Sequence, residues 1–312
     1  MLQNLPRSVS VYEVSPRDGL QNESAPISLE DKKRLVRALL AAGVKRLELT
    51  SFVSPKWIPQ LGDAEALIRE IEAPPGVTLS ALCPNTRGLE RAIEVGLHEV
   101  AVFLSSSETH NLKNTNKTIE RSLEVFSELV PHAIEANMRV RGYLSTVWGC
   151  PYEGDVALDR SLEITARLVE LGCYQVSLSD TIGVGTPLQT EEICRLFLRH
   201  FPAEKLALHL HDTRGTALAN ALVGLDLGIT HFDASVAGLG GCPYAPGAAG
   251  NLATEDLVYM LNGMGIETGI DLAALVQAGN VAERVVGRRL PGKVHLAGVP
   301  QARTRRRTPP PL

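Results

Sequence analysis

The chain has 312 residues, 44% hydrophobic and 21% charged, with a formal net charge of −4. This is the composition of an ordinary soluble globular protein with room for one large α/β domain, and the mild negative charge argues against a nucleic-acid partner. No run of about 18 apolar residues is present, so no membrane-spanning helix and no membrane partner are expected.

The opening, MLQNLPRSVSVYEV, lacks the apolar core of a signal peptide and the Arg/Ser-rich character of a transit segment. From there the chain falls into short β-branched or alternating runs separated by segments of helical patterning. The first run, VSVYEV (9–14), leads to SLEDKKRLVRALLAAG (28–43). In that helix Ser28 and Asp31 make a capping-box pair, Leu35, Val36, Leu39 and Leu40 supply an apolar face, and Gly43 stands where a C-terminal glycine belongs. Strand-like runs follow at KRLELT (45–50), TLSALC (78–83), EVAVFL (99–104), RVRGYLST (139–146), YQVSLS (174–179), LALHLH (206–211) and THFDAS (230–235). Helical patterns fill the gaps, including 157–172 and 187–200. Eight such units over roughly 250 residues predict a (β/α)8 TIM barrel, spanning 8–285. A doubly wound sheet would carry a GxGxxG turn after its first strand, and VSPRDGLQ is not one. Residues 286–312 are expected to form a C-terminal extension, partly disordered, because QARTRRRTPPPL is basic and proline-rich.

The five cysteines, Cys83, Cys150, Cys173, Cys194 and Cys242, are odd in number and show no CxxC spacing. They predict free thiols in a reducing cytoplasm, with neither a disulfide framework nor a zinc ribbon.

In a barrel of this kind the active site lies at the C-terminal ends of the strands. There the sequence places Arg17 and Asp18 after the first strand, Glu48 near the end of the second and Asp180 after the sixth. His209 and His211 close the seventh, and residues i and i+2 of a strand share a face. After the eighth comes AGLGGCPYAPGAAGN (237–251), which carries Cys242 and Asn251 on a glycine-rich stretch suited to a lid. Each residue alone admits a structural reading, such as a turn aspartate or a core thiol. Their meeting at one mouth is what suggests a site. Asp18, His209, His211 and Asn251 together offer a carboxylate, two imidazoles and an amide oxygen. That set suits Mg2+ or Mn2+ with coordination positions left open for substrate oxygens.

EVSPRDGLQNE (13–23), SFVSPKWIPQ (51–60), GCPYEG (149–154), SLSDTIGVGTP (177–187), HLHDTRGTALAN (209–220) and GLGGCPYAPGAAGNLATEDLVYML (238–261) resemble the 3-hydroxy-3-methylglutaryl-CoA lyase family. The resemblance implies a metal-dependent carbon–carbon lyase that acts on an acyl-CoA, of the kind used in leucine degradation and ketone-body formation, and a homodimer is expected. It implies that Asp18, His209, His211 and Asn251 bind the divalent cation, that Arg17 neutralises the thioester oxygen and that Cys242 is the loop thiol. Glu48, Asp180 and Glu255 match further positions associated with activity, and His209 and Asp180 are both candidate bases. Gln21 joins Arg17 and Arg214 among the residues expected to meet the substrate.

Four places depart from the family pattern. Position 214 is Arg where Tyr is usual, 216 is Thr for Gln, 179 is Ser for Gly, and FLSSSETHNLKNTNKT (103–118) replaces a GAASE context. These bear on the acyl group, so a sister lyase for citramalyl-CoA or a longer 3-hydroxy-3-alkylglutaryl-CoA is the main alternative. A synthase condensing acetyl-CoA with a 2-oxo acid, and a non-catalytic metal-binding barrel, are the others.

Overall fold

The computed structural model describes residues 5–241 and 250–300. Eight parallel strands close into a barrel in sequence order: β1 (Ser10–Glu13), β2 (Arg46–Ser51), β3 (Thr78–Leu82), β4 (Glu99–Ser105), β5 (Arg139–Ser145), β6 (Gln175–Asp180), β7 (Leu206–Leu210) and β8 (His231–Ala234). β1 pairs with β8 in the register Ser10↔His231 to Glu13↔Ala234, which shuts the ring. The TIM-barrel reading holds, and every predicted strand lies within about a residue or two of its observed bounds, the usual scatter of element ends. Helices wrap the outside: α1 (Leu29–Ala41), α2 (Ala64–Glu70), α3 (Thr86–Glu94), α4 (Glu108–Thr115), α5 (Ile119–Glu135), α6 (Leu158–Leu171), α7 (Pro187–Leu198), α8 (Ala217–Asp226), α9 (Thr254–Gly263), α10 (Leu272–Val286) and the short α11 (Lys293–Ala297).

Ser28 and Asp31 pair at the start of α1 as the sequence implies, with the hydroxyl rather than the Ser28 amide meeting the carboxylate. Ser28 Oγ accepts from Asp31 N at 3.1 Å and donates to Asp31 Oδ2 at 2.7 Å. Leu35, Val36 and Leu39 are buried, and Gly43 takes the left-handed conformation (φ 88°) that ends the helix. One apolar cluster runs between barrel and helices, from Val11, Leu47 and Val102 on the strands to Leu39, Leu168 and Leu257 on the helices. The strands are covered on both faces, apolar toward the helices and largely polar toward the barrel interior, which is why they read as alternating runs.

The polar residues sit inside. Arg141 of β5 is fully buried, and its guanidinium donates to Asp233 of β8 at 2.7 Å, to Tyr143 Oη at 2.9 Å and to Gln175 at 3.1 Å. α11 packs on α9 and α10 and buries its own His295, and Leu290 before it is buried as well. Among the described residues no helix is long and apolar enough to cross a membrane. Cys83, Cys150, Cys173 and Cys194 are buried free thiols. Cys242 and the segment 301–312 lie outside the described residues.

Candidate active site

β1 does not run straight into a helix. At Ser15–Gly19 the backbone makes one wide turn in which the amides of Arg17, Asp18 and Gly19 all converge on Val14 O, at 3.1, 2.7 and 3.3 Å. Wide turns of this type are rare and recur at functional sites. This one carries Arg17 and Asp18 into the mouth of the barrel. The Arg17 guanidinium donates through Nε to Glu48 of β2 and through Nη1 to Asp18 Oδ1 at 2.6 Å, with Tyr143 beneath it, 5.5 Å from guanidinium carbon to ring centre. Burial works against its charge, but Glu48 and Asp18 outweigh that, so Arg17 stays a guanidinium cation. Burial pushes the Glu48 carboxyl up, opposed by Arg17.

On β7, alternation turns His209 and His211 to the same side, with ring centres 5.3 Å apart. Asp18, His209 and His211 each present one ligand atom, all within 4.8 Å of one another. Burial raises the Asp18 carboxyl, yet Arg17 and the two histidines overcome it and hold it down at about 2. Burial, reinforced by His209, lowers His211 to about 4, so at neutral pH its ring is uncharged. His211 Nδ1 is buried and finds no hydrogen-bond partner among the described residues. A neutral imidazole with an orphaned nitrogen beside an ionised carboxylate is what a divalent cation requires of its ligands.

His209 is fixed by a residue that sequence reasoning missed. Its Nδ1 lies 3.3 Å from Asp233 Oδ2, which also accepts from Ser177 Oγ at 2.8 Å, while Arg141 engages both oxygens of the same carboxylate. Burial would raise Asp233, but the Arg141 charge prevails and keeps it ionised. The carboxylate therefore sets the ring proton on Nδ1 and leaves Nε2 facing Asp18 Oδ2 at 4.0 Å. Two signals in the sequence mark this network: Asp233 and Arg141 are charged residues within otherwise apolar barrel strands.

Asn251 completes the cluster from the far end of the chain. It bridges to His211 through the backbone, and its Nδ2 donates to Asp18 Oδ2 at 2.9 Å and to Leu239 O at 3.2 Å. Gly240 (φ 109°) passes so close that a Cβ there would lie 2.7 Å from Asn251 Nδ2. Just before it, two buried carboxylates hold consecutive amides at the root of the glycine loop: Glu13 Oε1 accepts from Val236 N at 2.9 Å and Glu255 Oε2 from Ala237 N at 2.7 Å. Ala237 needs that support, since its φ of 53° is unusual for a residue with a Cβ.

The structure thus brings Arg17, Asp18, Glu48, His209, His211 and Asn251 together and gives Asp180, Arg214 and Glu255 other partners. Asp180 ends β6 on the side opposite Ser177 and Ser179, and its two oxygens accept from Val184 N at 3.0 Å and Gly185 N at 2.8 Å. Arg214 is exposed and donates to the carbonyls of Ile182 and Gly183 at 2.9 and 3.0 Å. Gln21 lines a cleft of about 600 Å³ between the segment 21–27 and the one carrying Trp57 and Gln60. Glu255 lies behind the loop root, on α9.

A closed parallel barrel with a cluster able to hold a metal ion at the C-terminal ends of its strands defines a metal-site TIM-barrel protein. Within that class the chain belongs to the HMGL-like family, whose model matches residues 8–282. It is 50% identical over 288 residues to the hydroxymethylglutaryl-CoA lyase of Bacillus subtilis, covering 92% of this chain and 96% of the relative. It is equally 50% identical over 285 residues to a 3-hydroxy-3-isohexenylglutaryl-CoA/hydroxymethylglutaryl-CoA lyase of Pseudomonas aeruginosa, covering 91% of this chain and 95% of that one. A crystal structure of the Bacillus subtilis HMG-CoA lyase superimposes with a TM-score of 0.93 at 48% identity, covering 95% of this chain and 99% of the other.

Proposed function

We propose that the protein is a divalent-cation-dependent lyase that cleaves 3-hydroxy-3-methylglutaryl-CoA to acetyl-CoA and acetoacetate by a retro-Claisen reaction. The observation that carries the reading is the convergence of Asp18, His209 and His211 beside a guanidinium locked between Glu48 and Asp18. The hydroxymethylglutaryl-CoA lyases at about half identity over nine-tenths of the chain point the same way.

In this reading Asp18, His209, His211 and Asn251 hold a Mg2+ or Mn2+ ion. Such an ion would polarise the substrate hydroxyl and the distal carboxylate and lower the hydroxyl pKa. Arg17, fixed in direction by Glu48, faces the thioester oxygen, where negative charge grows as the C2–C3 bond breaks and acetyl-CoA leaves as its enolate. Neither candidate for the hydroxyl proton is singled out by the geometry: Asp180 has both oxygens on backbone amides, and His209 has Nδ1 on Asp233 with Nε2 turned to the cation site. Cys242, carried on the loop whose root Glu13 and Glu255 hold, returns a proton to the enolate carbon. Arg214 holds the carbonyls of Ile182 and Gly183 through Nη1, and in this reading its remaining donors meet a substrate carboxylate at that turn. Composition and the lack of paired cysteines support a cytoplasmic enzyme.

The decisive experiment incubates the purified protein with Mg2+ or Mn2+ and a panel of 3-hydroxyacyl-CoA thioesters. Release of acetoacetate and acetyl-CoA from the methylglutaryl thioester is expected. Pyruvate from citramalyl-CoA as the preferred product would replace the substrate assignment. Faster turnover of an isohexenyl thioester would align the chain with the second activity named for the Pseudomonas relative. Cation binding with no thioester cleaved would overturn the reading.

A further inference from the structure

Behind the loop root, two buried polar atoms face one gap. Glu255 Oε1 on α9 and His295 Nδ1 on α11 are both without a hydrogen-bond partner among the described residues. Both residues are buried. Each atom lies within 2.7 Å of where a Cβ at Gly279 of α10 would stand, so the glycine leaves them a shared space no side chain fills. The other end of each group is committed. Glu255 Oε2 accepts from Ala237 N at 2.7 Å, and His295 Nε2 lies 3.3 Å from Glu283 Oε1 on α10. The second contact places the ring proton on Nε2 and makes Nδ1 an acceptor.

We infer that Glu255 carries a proton that it shares with His295 across the gap over Gly279, and that His295 is thereby a positioning residue for Ala237 and the loop that follows it. Two orphaned buried atoms would together cost several times what one lost hydrogen bond does, and a single O–H···N contact, closed by a turn of the Glu255 carboxyl, satisfies both. The surroundings favour the protonated acid. Burial raises the Glu255 carboxyl to about 8 against the opposing pull of the Ala237 amide, and Glu13 of β1 and Asp256 of α9 push the same way as burial. The remaining charges packed on the pair are Glu283 on α10 and Lys293 on α11, which pairs with Asp212 and, more distantly, with Asp256.

A neutral acid can accept from Ala237 with one oxygen while donating from the other. An ionised one would still accept from Ala237, but it would be a buried charge next to Glu13 with its second oxygen set against the Nδ1 lone pair of His295, and the alanine it holds stands at φ 53°. The C-terminal segment grips the same residue from its other side, with Gly292 N donating to Ala237 O at 2.8 Å. The inference concerns the resting protein and assumes nothing about its reaction.

Infrared spectroscopy of the full-length protein at neutral pH tests it. A carboxylic-acid C=O band is expected that is absent in Glu255→Gln, shifts to higher wavenumber in His295→Phe and returns in His295→Asn, whose amide oxygen replaces Nδ1 as acceptor. Hydrogen exchange at the Ala237 amide should quicken about tenfold in His295→Phe and recover in His295→Asn, as for one lost buried hydrogen bond. Nitrogen-15 histidine spectra read the same contact without touching His295, because Glu255→Gln must move the His295 Nδ1 resonance. A wild-type protein without the acid band, a band indifferent to His295→Phe, or an Nδ1 resonance indifferent to Glu255→Gln each overturns the pairing.

Discussion

Arg17 is held at two points that only a guanidinium can serve together: Nε on Glu48 and Nη1 on Asp18, one on each side of a planar group lying over Tyr143. A lysine at this position keeps the charge but is a point donor on a flexible stem. Arg17→Lys should therefore bind Mn2+ with near wild-type affinity by calorimetry yet lose turnover by about 10²–10³, the effect of removing one preorganised donor. Turnover close to wild type would take Arg17 out of the chemistry. At this scale the sequence was readable where one residue implies the next. His209 and His211 declare a shared face by their spacing. Asp233 could not be read the same way, because its value comes from partners 24 and 92 positions away in His209 and Arg141. Asp180 shows the reverse failure: it stands at the right end of the right strand, but one step of alternation turns it from the cluster.

Strand ends were legible because the barrel strands alternate apolar with polar residues and are punctuated by turn residues on either side. The wide turn at Ser15–Gly19 was not, since three amides closing on one carbonyl leave no local sequence pattern. The turn after β6 shows how an element can serve the site from outside it. Asp180 gathers the amides of Val184 and Gly185, Arg214 ties down the carbonyls of Ile182 and Gly183, and Thr216 and Asn220 both donate to Gly185 O. Gly185 has no room for a side chain: a Cβ would sit 2.6 Å from Trp148 Cδ1 and 2.9 Å from Asp180 Oδ2. Gly185→Ala should lower stability in urea denaturation by about 1–3 kcal/mol, the typical cost of overpacking. On the reading that Arg214 and this turn meet the acyl group, it should raise KM more than it lowers kcat. A variant with unchanged KM would show that the turn has no part in substrate binding.

For the whole molecule, the buried acids set how stability varies with pH. Glu255 has a folded pKa raised to about 8 from an ordinary 4.5, so between those values the folded protein binds a proton that the unfolded chain has released. Stability must fall as pH rises through that window, by on the order of a few kcal/mol, and level off above it. Between pH 6.5 and 8, above the window in which the lowered His211 opposes it, thermal melts in chelator should show Tm declining in the wild type, with a flatter profile in Glu255→Gln. Equal slopes would mean that Glu255 is ionised throughout. A last consequence comes from the ring itself. Asp18 and Asn251 touch although 233 positions separate them, because β1 is zipped to β8. A nascent chain can display Asp18 early, but it cannot assemble the ligand cluster until nearly all of the barrel has been synthesised and the seam has closed. Cation capture therefore reports completed assembly and cannot assist the early steps. Any fluctuation that unzips the β1–β8 seam would release the ion, and bound ion should in turn act as a clasp on that seam.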